Sequence, residues 1–277
     1  MLKKIYWNYF KRNISGITSS LRVLPNFIII GSMKSGTTSL YYDICEHPSV
    51  LKAAYDEIGF FDSNYHLGLN WYRSMFPTKK QMKNIELKEG ISITGEDTPF
   101  YFWNPLVVKR IKDMLPNIKL ICILRNPIDR AYSEYQDLAM INNNFPSFEE
   151  MIDDEIEVIG YDEIEITEDN FGIFNQKKSY LIKGIYVDQL KIWNNLFSKE
   201  QIITVSTEDL KLDIKITLKS IFEFLNLSDY EIKKTQSQKQ KKYVPMNPKT
   251  RKKLIEFYKP HNKRLFKFIE KRFEWDK

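Results

Sequence analysis

Phe27-Ile28-Ile29-Ile30-Gly31-Ser32-Met33-Lys34-Ser35-Gly36-Thr37-Thr38-Ser39 is the stretch whose reading decides the fold. Four apolar residues end at a glycine, as a buried strand does, and the residues that follow open a helix over about 38–46. Two glycines bracket a tight turn, so successive backbone N–H groups converge on one concavity. The helix N-terminus and the hydroxyls of Ser35, Thr37, Thr38 and Ser39 add positive potential and donors. This is a phosphate cradle. The bland alternative is a Gly/Ser turn that binds nothing, but strand, loop and helix fall in the order a cradle needs.

Outward from this loop the pattern repeats. Strands are expected over 91–94, 120–124 and 201–205, with helices over 105–115, from about 127, and over 185–197 and 213–225. Two basic helices, 248–258 and 262–272, are expected to close the chain. Strands alternating with helices predict an α/β fold: a P-loop-like central parallel β-sheet with helices on both faces. Ligands in such sheets gather beyond the carboxyl ends of the strands. The reading gives a basic N-terminal segment, 1–25, and one folded domain, 26–277, without repeat or linker.

Composition supports a folded protein of 277 residues, 43% hydrophobic and 14% aromatic. Cys45 and Cys122 lie in apolar runs without metal-ligand spacing, which reads as two buried free thiols in a reducing, cytoplasmic setting. The apolar runs are too short to span a bilayer, so no transmembrane segment is expected. The net charge of +6 is uneven: residues 149–169 hold eleven acidic residues and no Lys or Arg, whereas residues 231–277 hold 16 basic and 5 acidic. A basic flank suits a polyanion, though a solvated helix face explains most such lysines.

A P-loop NTPase carries lysine directly after the second glycine. Here Thr37 stands there, and the lysine is Lys34, inside the turn. The 120–124 strand ends at Arg125, where an NTPase commonly places a magnesium-organising aspartate, which favours a second fixed phosphate. Ser133 follows roughly two turns into the next helix, within reach of a group held by Arg125. Taken alone, this pair reads equally well as a strand-end salt bridge and an ordinary helical serine.

Together GSMKSGTTSL and LRNPIDRAYSEY resemble the two nucleotide motifs of the sulfotransferases that use 3′-phosphoadenosine 5′-phosphosulfate (PAPS), nearest to the heparan sulfate (glycan) type. DEIGFFDSNYHLGLNWYRSMFP, GEDTPFYF, GIYVDQLKIW and MNPKTRKKLIEFYKPHNKRL resemble family segments in family order. The resemblance implies transfer of a sulfuryl group to a hydroxyl or amine of a carbohydrate or small hydroxylated acceptor. It implies 3′-phosphoadenosine 5′-phosphate (PAP) as product, and no metal or nucleic acid is expected to take part. Lys34 would face the phosphosulfate, the loop from Ser35 through Gly36, Thr37, Thr38 and Ser39 would hold the 5′-phosphate, and Arg125 and Ser133 the 3′-phosphate. Lys241 or Lys242 would close over the nucleotide, although Gln240 replaces a family glycine.

The resemblance makes Glu57 the base; on its own it reads as a capping or solvated carboxylate. His66 is the runner-up, and His47 and His261 read as structural. Asp97 stands where the heparan sulfate type carries an acceptor-facing lysine, a poor match to a polyanionic glycan. Two rival functions follow from the residues: a P-loop nucleotide kinase, and a non-enzymatic polyanion-binding protein built on the basic C-terminus.

Overall fold

The computed structural model describes residues 18–141, 144–160, 167, 171, 179–232 and 243–275. Its centre is a sheet of β1 (Phe27–Gly31), β2 (Val50–Lys52), β3 (Ile93–Asp97), β4 (Lys119–Leu124) and β5 (Ile202–Ser206), in the order β2-β3-β1-β4-β5. Every neighbouring pair is parallel. The expected α/β architecture is therefore the observed one.

The period-2 alternation of β1 splits the core in two. Ile28 and Ile30 pack with Leu120, Cys122, Leu124 and the aromatic side chains Phe60, Phe61, Tyr72 and Tyr101. Phe27 and Ile29 face the other way, onto Leu40, Tyr41, Ile121, Ile123 and Val205. The first face is covered by α4 (Pro105–Met114), α5 (Pro127–Ala139), α7 (Tyr186–Leu196) and α10 (Pro248–Ile269); the second by α1 (Thr37–Ile44) and α9 (Ile214–Phe224). Between these run α2 (Gly68–Arg73), α3 (Lys79–Glu89), α6 (Phe148–Ile159) and α8 (Thr207–Leu212). Cys45 and Cys122 are both free and buried.

Two expectations need correcting, and one strand was not expected. The two closing helices are one continuous α10 that carries Pro260 in its interior. Proline removes one ladder hydrogen bond, but Leu254, Phe257, Tyr258, His261 and Leu265 bury one continuous face across the interruption. The 91–94 strand lies further on, at Ile93–Asp97, and ends in two carboxylates. The short edge strand β2 was too brief to show as a periodic pattern.

Part of the charge asymmetry is satisfied within the fold. Acidic α6 docks on basic α10, with Asp153 Oδ1 2.5 Å from Lys253 Nζ and Glu149 accepting from Thr250 at 2.7 Å. Arg264 pairs with Asp188, and Lys271 with Asp209. Glu155, also on α6, accepts from the backbone N–H groups of Tyr180, Leu181 and Ile182 at 2.8–2.9 Å.

Candidate functional site

The loop between β1 and α1 is built as its glycines require. Gly31 has φ +148, and an added Cβ would lie 2.6 Å from both Phe102 Cβ and the Pro99 carbonyl. Gly36 has φ +89, which L side chains rarely adopt, and stands immediately before α1. Ser32 N donates to Ile123 O at 2.7 Å, and the Ser32 and Ser35 hydroxyls are 2.7 Å apart. From β5's end, Thr207 Oγ1 donates to Ser35 O at 2.7 Å and to Leu124 O at 3.0 Å. The loop is thus pinned to both strands on its β4 side.

Arg125 joins the two anion motifs. Its Nη1 donates to Lys34 O at 2.9 Å, while its own carbonyl accepts from Tyr186 at 2.8 Å. Asn126 caps α5 through Ile128 N at 3.0 Å, with Pro127 in the first turn. Ser133, buried on α5, lies 3.5 Å from the Tyr243 hydroxyl, and Tyr243 donates to Asp137 at 3.0 Å.

These side chains line a cleft of about 1160 Å³. Lys34, Ser35, Gly36 and Ser39 form one wall, Arg125 and Ser133 another, with Lys211, Tyr243 and Arg251 around them. Lys211, Tyr243 and Arg251 were not singled out in the sequence. Arg251 lies in the MNPKTRKK segment, so its neighbourhood was legible but its role was not; it pairs with Asp129 at 2.5 Å. Thr37 and Thr38 begin α1 but are not among the cleft's lining. Lys241 and Lys242 lie outside the described residues.

Glu57 is exposed, has φ +50, and its backbone N donates to Asp97 O at 2.9 Å. That bond ties it to the end of β3, the strand beside β1. His66 lies on a short 3-10 turn, Tyr65–Leu67, and is exposed. No contact among the described residues links it to the loop. His47 and His261 pack in the interior against Phe222 and Phe257 respectively.

β1 has two neighbours in the sheet: β4, which runs into Arg125, and β3, which ends at Asp97. The Asp97 side chain is fully buried, and the Thr38 hydroxyl is its hydrogen-bonding neighbour. Burial, then the charges of Asp56, Glu96 and Glu57, push it up to about 8, with the nearby Thr38 hydroxyl acting the other way. Burial raises Glu96 to about 7, although Tyr72 and Thr98 donate to it at 2.5 and 2.9 Å. Among the described residues no group of three His, Cys, Asp or Glu is suited to a metal ion, and no helix is long and apolar enough to cross a membrane.

Known proteins resemble the chain along nearly all its length. Kil1, a membrane-associated sulfotransferase of Dictyostelium discoideum, is 28% identical over 94% of this chain and 68% of its own. Mouse heparan sulfate glucosamine 3-O-sulfotransferase 3B1 is 29% identical over 91% of this chain and 65% of its own. The heparan sulfate N-deacetylase/N-sulfotransferase 1 of Caenorhabditis briggsae is 28% identical over 92% of this chain, which spans only 31% of that protein. The crystal structure of a sulfotransferase from Alicyclobacillus acidocaldarius superposes with a TM-score of 0.69 at 26% identity, covering 92% of this chain and all of the other. A sulfotransferase domain profile matches residues 24–275, and the chain belongs to the sulfotransferase domain family.

Proposed function

We propose that this sulfotransferase moves the sulfuryl group of PAPS to a hydroxyl or amine of a saccharide acceptor. One observation carries the donor assignment: the 2.9 Å bond from Arg125 to Lys34 O, which sets both anion motifs in one cleft. The loop offers backbone donors and hydroxyls to a 5′-phosphosulfate, while Arg125 and Ser133 offer a guanidinium and a hydroxyl to a 3′-phosphate. A saccharide acceptor is supported by the similarity to the 3-O-sulfotransferase and to mouse carbohydrate sulfotransferase 15, 28% identical over 99% of this chain.

In the proposed reaction Glu57 accepts the proton of the acceptor as its oxygen or nitrogen bonds to sulfur. The bond from sulfur to the bridging oxygen breaks, and the electron pair leaves with the 5′-phosphate of PAP. Lys34 stabilises the charge that develops on that oxygen. The protein's part is positioning, electrostatics and one proton transfer. The two rivals lose ground for separate reasons. Family membership and Thr37 in place of a post-glycine lysine disfavour a kinase. Three of α10's cations, Arg251, Lys253 and Arg264, are engaged by acidic side chains, which reduces the basic surface open to a polyanion. We also propose a cytoplasmic location, supported by the two unpaired thiols.

Calorimetric titration with PAP and with ADP, on wild type and Arg125→Ala, tests the donor assignment. PAP should bind tightly and weaken about 10- to 100-fold in the variant, the worth of a charge-assisted hydrogen bond. ADP should respond little. Equal affinity for the two nucleotides would remove the 3′-phosphate from the reading.

A further inference from the structure

The segment that carries Glu57 is held by alternate backbone N–H groups. Glu57 N donates to Asp97 O at 2.9 Å, Gly59 N to Thr98 Oγ1 at 3.2 Å, and Phe61 N to the Tyr101 hydroxyl at 3.1 Å. A strand would continue this ladder with carbonyls, but the chain turns after Asp97, and Thr98 O accepts from Tyr101 N at 3.1 Å instead. Two side-chain hydroxyls therefore stand where backbone acceptors would. The carbonyls of the segment are engaged as well, Ile58 O and Gly59 O by Asn64 and Phe61 O by Arg110. Ile58, Phe60 and Phe61 are buried, while Glu57 is exposed.

One carboxylate draws the protons of both hydroxyls the other way. Glu96 is fully buried; its Oε2 accepts from Thr98 at 2.9 Å and its Oε1 from Tyr72 at 2.5 Å. Tyr101 has Glu96 and Thr98 as hydrogen-bonding neighbours. A hydroxyl has one proton to give. With those of Thr98 and Tyr101 directed toward Glu96, their lone pairs are left to accept from Gly59 and Phe61. The alignment matters because Glu57 has φ +50 and Gly59 φ +61. A glutamate stays in the left-handed region only where its neighbours over-determine it.

We infer that Thr98 and Tyr101, aligned by the Glu96 carboxylate, are positioning residues that hold the Glu57 backbone where its side chain meets the acceptor. This rests on Glu57 as the base of the proposed sulfuryl transfer and adds the groups that act through it. Thr98 and Tyr101 are not among the residues lining the donor cleft, so their effect falls on the proton-transfer step and not on nucleotide binding. Tyr72, on α2, is the internal comparison. It donates to the same carboxylate, and among the described residues its hydroxyl has no bond to the segment that carries Glu57.

The test is turnover of PAPS by the full chain, with neutral, amino and uronate tetrasaccharides as acceptor probes. It is run at pH 8, above the value of about 7 to which burial raises Glu96. Thr98→Val and Tyr101→Phe should each lower kcat about tenfold, with the KM for PAPS within about twofold of wild type. Thr98→Ser, which keeps the hydroxyl, should retain at least about half the wild-type rate, and Tyr72→Phe should stay within about twofold. In a Glu57→Gln background Thr98→Val should lower kcat no further, because residues that act through one group are not additive. Hydrogen exchange needs no acceptor: the Gly59 amide in Thr98→Val and the Phe61 amide in Tyr101→Phe should exchange at least about fivefold faster. Unchanged exchange, unchanged kcat, an equal loss in Tyr72→Phe, or a full loss added to that of Glu57→Gln overturns the inference. Glu57→Gln at the wild-type rate defeats the base assignment and this inference with it. Absence of turnover with every probe defeats the saccharide acceptor instead, and the exchange rates then decide.

Discussion

Asp137 holds Lys34: the ammonium Nζ lies 2.5 Å from Asp137 Oδ2, and Tyr243 donates to the other carboxylate oxygen. The lysine assigned to the phosphosulfate is therefore engaged by α5, one turn beyond Ser133. Binding of the donor must exchange one anion for the other. Both partners are about a quarter exposed, so the pair is worth at most about 1 kcal/mol. Asp137→Asn should accordingly tighten PAP by about two- to fivefold, read by calorimetry. Weaker binding in the variant would mean that Asp137 orients Lys34 rather than competing for it.

The two candidate bases separate by kinetics. Glu57→Gln should lower kcat by about 10²- to 10⁴-fold with the KM for PAPS unchanged, as loss of a general base does. His66→Ala, altering an exposed side chain without contact to the loop, should leave both constants within about twofold of wild type. The opposite pattern would transfer the role to His66.

Asp97 makes stability depend on pH in an unusual direction. Its folded carboxyl holds a proton up to about pH 8, whereas in the unfolded chain it ionises near its ordinary 3.8. Between those values the unfolded chain binds fewer protons, so stability falls as pH rises, by at most about 1.4 kcal/mol per unit. Glu96, raised to about 7, adds to the same trend below that pH. Asp97→Asn cannot ionise, so denaturant unfolding should show it gaining stability over wild type between pH 5 and pH 8. An identical pH profile in the two proteins would mean that Asp97 is already ionised.

Arg130 lies in the same motif as Arg125 and Ser133 but has a structural place. It is fully buried, donates to Glu134 at 2.7 Å and to the Tyr180 carbonyl, and Lys183 reaches the other Glu134 oxygen at 2.7 Å. Burial alone would push Glu134 up, but Arg130 and Lys183 outweigh it and hold its carboxyl below the usual range. Arg130→Met leaves buried Glu134 with Lys183 and takes the donor from the Tyr180 carbonyl, and should cost about 1–3 kcal/mol in urea unfolding. A cost below about 1 kcal/mol would show that the pocket hydrates or relaxes around Glu134.

Arg125 and Arg130 show how far the sequence could be read. The two arginines stand five positions apart in one motif, and side-chain type cannot tell an anion ligand from an interior ion pair. That distinction depends on which element packs over each: the phosphate loop over Arg125, and the backbone around Tyr180 over Arg130. The same limit applies to the charge asymmetry, which reads as a possible binding surface until α6 and α10 are seen against each other.

The amino-acid sequence by itself determined the strand–loop–helix units, the phosphate loop and the α/β class. These depend on short-range physics: apolar runs, glycine conformations and caps act within a few residues of one another. Tertiary structure alone decided which strand lies on each side of β1, and so brought Asp97 to Thr38 and Glu57. It also paired Lys34 with Asp137, 103 positions away, and carried α10 through Pro260. Parallel order in a sheet is set by crossover connections and by burial on both faces, which no local window of sequence contains.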